Sequence, residues 1–346
     1  MKKILITGGL GFLGTHCIER WLEEEWDIYI IDNLSSNAIS PDHIFAQKTT
    51  VILKDVVETS WDELPPFDMI LHLASPVGPV GVLKHSGKMA KIIMDDIYWA
   101  IEGAQHNNCP LIFVSTSEIY GYRDQKTYLA EDDDKVLRGD FTVRNEYAMA
   151  KLLAEITLSN TAKVDDNFKY QIVRPFNVTG AYQLPDGGFV LPRFVLQALE
   201  DRDITVYYSG QQIRAFTWVK DIVEGIYLTA NAPSELWNQE WNVGNEENEE
   251  TILYLAEKVK QISGSDSNIV HVDPRKLHGN LFAEAPEKIP NSRKIKKLLG
   301  WSPTKYVDEV IKEVLVFWEQ NLKVKVTTTN RNNLIKQNSN QIHKNS

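Results

Sequence analysis

Lys3-Ile4-Leu5-Ile6-Thr7-Gly8-Gly9-Leu10-Gly11-Phe12-Leu13-Gly14 is an apolar run that breaks into glycines and continues into a helix-like stretch, Gly14–Glu25. Gly9, Gly11 and Gly14 satisfy G-x-G-x-x-G, and Gly8, Gly11 and Gly14 give the spacing G-x-x-G-x-x-G. Glycine makes the tight turn, lets backbone approach a pyrophosphate, and lets the following helix pack closely on the strand. The helix N-terminus then offers free N–H groups and partial positive charge to phosphates. The next apolar run, 26–32, ends on Asp32, where a carboxylate accepts hydrogen bonds from adenosine ribose hydroxyls and repels a 2′-phosphate. The expected cofactor is NAD rather than NADP. Asp55 ends the third run and is a candidate adenine contact; an exposed loop aspartate is the alternative reading.

Beyond this turn, short β-branched runs lie at 2–9, 26–32, 49–55, 69–75, 110–117 and 170–177, with helix-like stretches such as Lys88–Asn107 and Asn145–Thr161 between them. Strand–helix alternation at this spacing predicts an α/β fold, a doubly wound parallel sheet with helices on both faces. Ligands bind such sheets outside the carboxyl ends of the strands. From about Phe176 the alternation weakens, so residues 1–175 are expected to form the cofactor domain and 176–320 a smaller substrate-binding lobe. Residues 321–346 carry no acidic and few apolar side chains, and a disordered tail is expected there.

Composition excludes several classes. A net charge of −10 argues against nucleic-acid partners. No apolar run approaches the roughly 18 residues of a membrane span. The N-terminus enters its glycine turn without a secretory signal, and the expected location is the cytoplasm. Cys17 and Cys109 read as buried free thiols rather than a disulfide framework. The histidines show no metal-ligand spacing; no metal is expected, and His72 reads as a core residue.

Tyr147 and Lys151 share one face of a predicted helix. A phenol titrates near ~10, and an adjacent ammonium favours the phenolate, which suits a tyrosine that abstracts a hydroxyl proton. Upstream, Ser115-Thr116-Ser117-Glu118-Ile119-Tyr120-Gly121 brings hydroxyls and a carboxylate to a strand end where a nicotinamide is expected.

The glycine pattern, Asp32, Ser115–Gly121 and the Tyr147/Lys151 pair together resemble the extended short-chain dehydrogenase/reductase family, in its sugar-nucleotide branch, over roughly residues 1–320. The resemblance implies a Rossmann-type fold, a UDP-sugar substrate and a homodimer formed through helices 88–107 and 145–161. It places Gly8, Gly11, Phe12, Leu13, Gly14, Asp32, Asn33, Asp55, Val56, Leu73, Tyr147 and Lys151 on the cofactor. It places Pro76, Asn177, Arg193 and Arg214 on the substrate, Asn177 holding the nucleotide sugar and Arg214 its phosphates. Ser117-Glu118 after Thr116 is similar to the UDP-glucuronate decarboxylases, whereas 4,6-dehydratases carry Asp-Glu and epimerases lack the acid. The segment Pro290-Asn291-Ser292-Arg293 resembles the one supplying a catalytic arginine there, so Arg293 joins Thr116, Ser117, Glu118, Tyr147 and Lys151 as expected catalytic residues.

The implied activity is NAD-dependent decarboxylation of a UDP-uronic acid, UDP-glucuronate or its 2-acetamido analogue, to a UDP-pentose. Oxidation at C4 makes a β-keto acid, whose loss of CO2 leaves electrons that delocalise into the ketone. The loop Ser75–Gly81, rich in Pro, Gly and Val, departs from the family and leaves the C2 substituent open. The competing readings are a UDP-sugar 4-epimerase or 4,6-dehydratase and, more distantly, a non-catalytic NAD(H) sensor.

Overall fold

The computed structural model describes residues 1–123, 126–139, 141–285 and 287–322. In it the predicted runs become β1 (Lys3–Thr7), β2 (Asp27–Asp32), β3 (Thr50–Leu53), β4 (Met69–His72), β5 (Leu111–Val114) and β6 (Tyr170–Pro175). They join one parallel sheet whose order is β3-β2-β1-β4-β5-β6, continued by β7 (Gln239–Val243). The order reverses between β1 and β4, and the crevice at that reversal is where such sheets take ligands. Helix α1 (Phe12–Glu23) starts there, directly after the glycines.

Side-chain alternation along each strand supplies two cores. Leu5, Ile70 and Phe113 face α3 (Met89–Asn107) and α4 (Val143–Val164), packing against Ile97, Ala100, Ala150 and Ala154. Ile4, Ile6 and Ile112 point the other way, toward Cys17, Ile18 and Trp21 of α1 and Ile222 and Ile226 of α6 (Val219–Ala230). Each fully buried side chain of this size contributes about 1.5–3 kcal/mol, and the two layers hold the strand ends rigidly. Cys17 and Cys109 are free and buried, and burial pushes both thiols up, Cys109 to about 12.

The chain does not divide simply at residue 176. β7 pairs in register with β6, and Trp241 donates its indole N–H to Gln171 at 2.8 Å. Residues 239–243 read Gln-Glu-Trp-Asn-Val, too polar to signal a strand, because Asn242 is satisfied inside by Tyr120 and Leu129 rather than by solvent. A separate cluster unites α5 (Val190–Leu199), α7 (Ile252–Ser263) and the helix 307–322, with Phe194, Leu255, Val310 and Trp318 at its centre. Of the expected tail, residues 321 and 322 close that last helix, and the remainder lies outside the described residues.

The Ser75–Gly81 stretch, read as a loop, is in part helical: α2 (Gly78–Lys84) follows Val77, with Pro79 in its first turn, where no backbone N–H is needed. Among the described residues no helix is long and apolar enough to cross a membrane, and no group of His, Cys, Asp and Glu could hold a metal.

Candidate active site

The glycine turn closes on itself before α1 begins. Gly8 adopts φ +67°, Gly11 N–H donates to Gly8 at 3.1 Å, and Thr15 N–H to Gly11 at 2.9 Å. A Cβ on Gly14 would collide with the Gly8 carbonyl and lie 2.6 Å from Gly9 Cα. Gly11 provides no side-chain cap, so the amides of Phe12, Leu13 and Gly14 open the helix without intrahelical acceptors. Asp32 is buried and accepts from Leu10 N–H at 3.0 Å and Leu34 N–H at 2.8 Å. Burial raises its pKa and those two bonds oppose the rise. Each oxygen keeps a second lone pair for a ribose hydroxyl. Asn33 and Asp55, at the ends of β2 and β3, share a 3.3 Å hydrogen bond, with Val56 buried beside them. The cradle, the uncapped amides and the acidic strand end together fit a dinucleotide, whose pyrophosphate the turn would hold. Leu73 N–H is taken by Thr7, which also bonds buried His72 at 2.9 Å. Burial drives the His72 pKa down to about 3, so it is a neutral core residue.

At the end of β5 the backbone turns through Ser117–Tyr120, capped by Thr116, whose hydroxyl accepts from Glu118 N–H at 3.1 Å. The Tyr147 hydroxyl is hydrogen-bonded to Thr116. Lys151 shares the face of α4 with Tyr147 and donates to the Val114 carbonyl at 3.0 Å, over the Phe113 ring. Burial raises the Tyr147 pKa, opposed by Thr116 and Arg144, and lowers that of Lys151 to about 8. Lys151, the expected activating neighbour, is not among the groups that lower the tyrosine: burial dominates, and Thr116 and the cation Arg144 oppose it. Ser117 is buried, and the Ser115 hydroxyl is buried without a partner.

Glu118 sits between two cations. Arg144 Nη2 lies 2.6 Å from its Oε1, and Lys288 bonds the same oxygen. Burial would raise the Glu118 pKa, but Arg144 and Lys288 hold it well below the usual carboxylate range. Beneath, Arg174 is paired with Glu155 at 2.7 Å and bonded to the Tyr120 hydroxyl at 2.9 Å, which fixes the floor of the Ser117–Tyr120 turn. Further out, Arg214 is buried and pairs with Glu284 at 2.7 Å. Arg193 stacks over Tyr207 and donates to the Thr205 carbonyl, leaving Nε and Nη1 buried without partners. Glu284 acts electrostatically on Arg144, Arg193 and Arg214 alike.

A family model described as the NAD dependent epimerase/dehydratase family matches residues 4–244. The chain belongs to that family. The cofactor read from the glycine turn and Asp32 is the one in the family's description. The chain is 32% identical to UDP-N-acetyl-alpha-D-glucosaminuronate decarboxylase of Bacillus cytotoxicus, over 93% of this chain and 96% of the relative. It is 30% identical to UDP-glucuronic acid decarboxylase 1 of Danio rerio, over 93% and 74%. Among solved structures it superposes on UDP-glucose 4-epimerase of Thermotoga maritima with a TM-score of 0.80, at 23% identity over 92% and 99%. UDP-glucuronic acid 4-epimerase of Bacillus cereus, solved with UDP-glucuronic acid and NAD, gives 0.78 at 23% identity over 92% and 99%. These last two likenesses support the fold, a Rossmann-type sheet.

Within this family member the residues expected from sequence do not all meet. Thr116, Ser117, Glu118, Tyr147 and Lys151 gather at the ends of β5 and α4. Arg293 is exposed at the start of the helix Arg293–Leu299, its backbone N–H bonded to Asn291. The cation that reaches Glu118 from this segment is Lys288, held there because Ile289–Pro290 pairs with Tyr128–Leu129. Asn177 has φ +38° and spends its amide on the Ala215 carbonyl at 3.2 Å. Pro76 is half-buried ahead of α2. The sequence reading missed Arg144, Lys288, Glu284 and Asp96. Arg144 precedes Tyr147 by one helical turn, a signal available in the sequence; the other three become visible only through contacts across the fold. Asp96 is buried on α3, and its pKa is raised to about 7 by burial and by Asp55, opposed by Lys151.

Proposed function

We propose that this chain decarboxylates a UDP-uronic acid, UDP-glucuronate or its 2-acetamido analogue, to the corresponding UDP-pentose through a 4-keto stage. The observation that carries this reading is the cationic end of the cleft. Arg144, Arg193, Arg214 and Lys288 converge there against Glu118 and Glu284, with Glu287 also acting on Arg214, next to Thr116 and Tyr147. That surplus of positive charge suits a diphosphate plus a sugar carboxylate, and the named activities of the two decarboxylase relatives support the same choice.

Tyr147 takes the proton of the C4 hydroxyl, with Thr116 as the second partner of that oxygen. The glycine turn and Asp32 would hold NAD, and the chemistry it would supply is reversible hydride exchange with C4. Arg144 holds the sugar carboxylate and favours the Tyr147 phenolate, while Lys151 keeps a positive charge against the same face of α4. When the C5–C6 bond breaks, CO2 leaves and the electron pair enters the C4 carbonyl. Lys288, brought to about 8 by burial, then donates a proton to C5. Glu118 keeps both cations oriented, and the site's contribution is chiefly position and fixed charge.

The assembly we propose is a homodimer in the cytoplasm. Tyr98 on α3 and Leu153 and Ile156 on α4 are exposed on helices that pack side by side, an apolar face suited to a second copy. Light scattering that finds only monomer overturns that part.

The activity is tested by incubating the purified chain and NAD+ with UDP-glucuronate, its 2-acetamido analogue and UDP-hexoses. Release of CO2 with a UDP-pentose in the NMR spectrum is expected from a uronic acid. A C4 epimer or a 6-deoxy-4-keto product without CO2 would assign the chain to the epimerases or dehydratases instead.

A further inference from the structure

Arg214 is expected to grip the nucleotide phosphates, yet its guanidinium is already engaged. Nη1 donates to the Ile213 carbonyl at 2.7 Å, and Nη2 donates to Glu284 Oε1 at 2.7 Å and to the Ala285 carbonyl at 2.8 Å. Both Nη2 donors are thus taken and the side chain is only 8% exposed, so an anion that takes the Nη2 edge competes with Glu284 for it. Glu284 differs from Glu118 in two ways that decide which carboxylate yields. Glu118 is pinned by Arg144 and Lys288 at once and is 13% exposed, whereas Glu284 has one ion-pair partner among the described residues and is 34% exposed. Glu284 also follows Gly279, at φ +82° with open space around it, on a segment whose Phe282 packs on His278 and edge-on to Tyr207.

We infer that Glu284 is an internal anion occupying Arg214, which the diphosphate of the substrate displaces on binding. This rests on the proposed UDP-sugar reading of the site. Glu284 then swings to solvent at little desolvation cost. Arg144, Arg193, Arg214 and Lys288 are left facing Glu118, with Glu287 beside Arg214, a positive surplus that the diphosphate and the uronate offset. The latch lowers nucleotide affinity in return for keeping a buried guanidinium paired between turnovers, since an unpaired buried charge is strongly destabilising.

The test is calorimetric titration of UDP into the full chain loaded with NAD, as wild type, Glu284→Gln and Glu284→Ala, with thermal melts to establish that each is folded. Both variants are expected to bind UDP roughly tenfold more tightly than wild type, the size of one partly exposed charge-assisted pair. Equal or weaker UDP binding by folded Glu284→Gln or Glu284→Ala overturns the latch, as does a wild type that binds no UDP. The proposed activity fails separately: tighter UDP binding by the variants with no CO2 from any UDP-uronic acid sinks the decarboxylase reading and leaves the latch standing.

Discussion

The glycine turn at residues 8–14 and the charged cluster around Glu118 lie along the same edge of one sheet, but they are held in place differently. The turn is made of contiguous backbone, wedged against Ile30 of β2 and Ala74, and uses almost no side chains. The cluster is made of side-chain charge drawn from Glu118, Arg144, Arg193, Arg214, Glu284 and Lys288, residues that no short segment contains. Backbone recognition tolerates no added atom, whereas a charge cluster tolerates changes of shape and fails when its charge balance is broken.

The largest effect expected on that contrast is at Lys288. Lys288→Met leaves Glu118 buried against Arg144 alone and removes the assigned proton donor. Loss of about 10²–10⁴-fold in kcat is expected, with rescue by Lys288→Arg limited to stability. Turnover within a few-fold of wild type in Lys288→Met would remove Lys288 from the chemistry. Gly14→Ala probes the other region. The new methyl meets Gly8 and Gly9 backbone that cannot retreat, and about 1–3 kcal/mol of stability should be lost together with most NAD affinity. Unchanged NAD binding by titration would mean that the turn adapts.

Asp96 joins the two ends, since it feels both Asp55 and Lys151. Its folded pKa of about 7 lies above the unfolded value, so ionisation opposes folding. That penalty is absent below about pH 4 and grows as pH climbs to about 7. Asp96→Asn should therefore gain thermal stability on wild type across that window, by at most about 4 kcal/mol at pH 8. A difference that does not vary with pH would sink this account. The smallest effect expected is at Arg293. Arg293→Ala should change stability by less than about 0.5 kcal/mol and leave kcat within a factor of about two, since the side chain is exposed. A large loss of kcat would return the catalytic role to Arg293.

The predicted strands all appear in the sheet because each is an apolar β-branched run, buried on both faces in the interior strands and partly exposed at the edge strand β3, a pattern that needs no partner to be recognised. β7 was illegible for the opposite reason: its polar residues are satisfied by Tyr120, Leu129 and Glu131, contacts that exist only after folding. Likewise Tyr147, Lys151, Thr116 and Glu118 were readable as a set, through helical spacing and a strand end. Their electrostatics were not. Helical spacing suggests a tyrosine activated by Lys151, but burial governs its pKa, opposed first by the Thr116 hydrogen bond and then by Arg144.

Sequence by itself determined the cofactor cradle, because steric demands on glycine and the carboxylate at Asp32 are local and leave a local pattern. It determined the alternating fold as well, since burial of strands and helix faces is written in hydrophobic period. Tertiary structure alone decided which cation reaches Glu118, that Arg214 is already paired with Glu284, and that Asp96 faces Lys151. Charge interactions act through space over a few ångströms, and residues far apart in the chain acquire them only when the sheet and the second lobe bring their ends together.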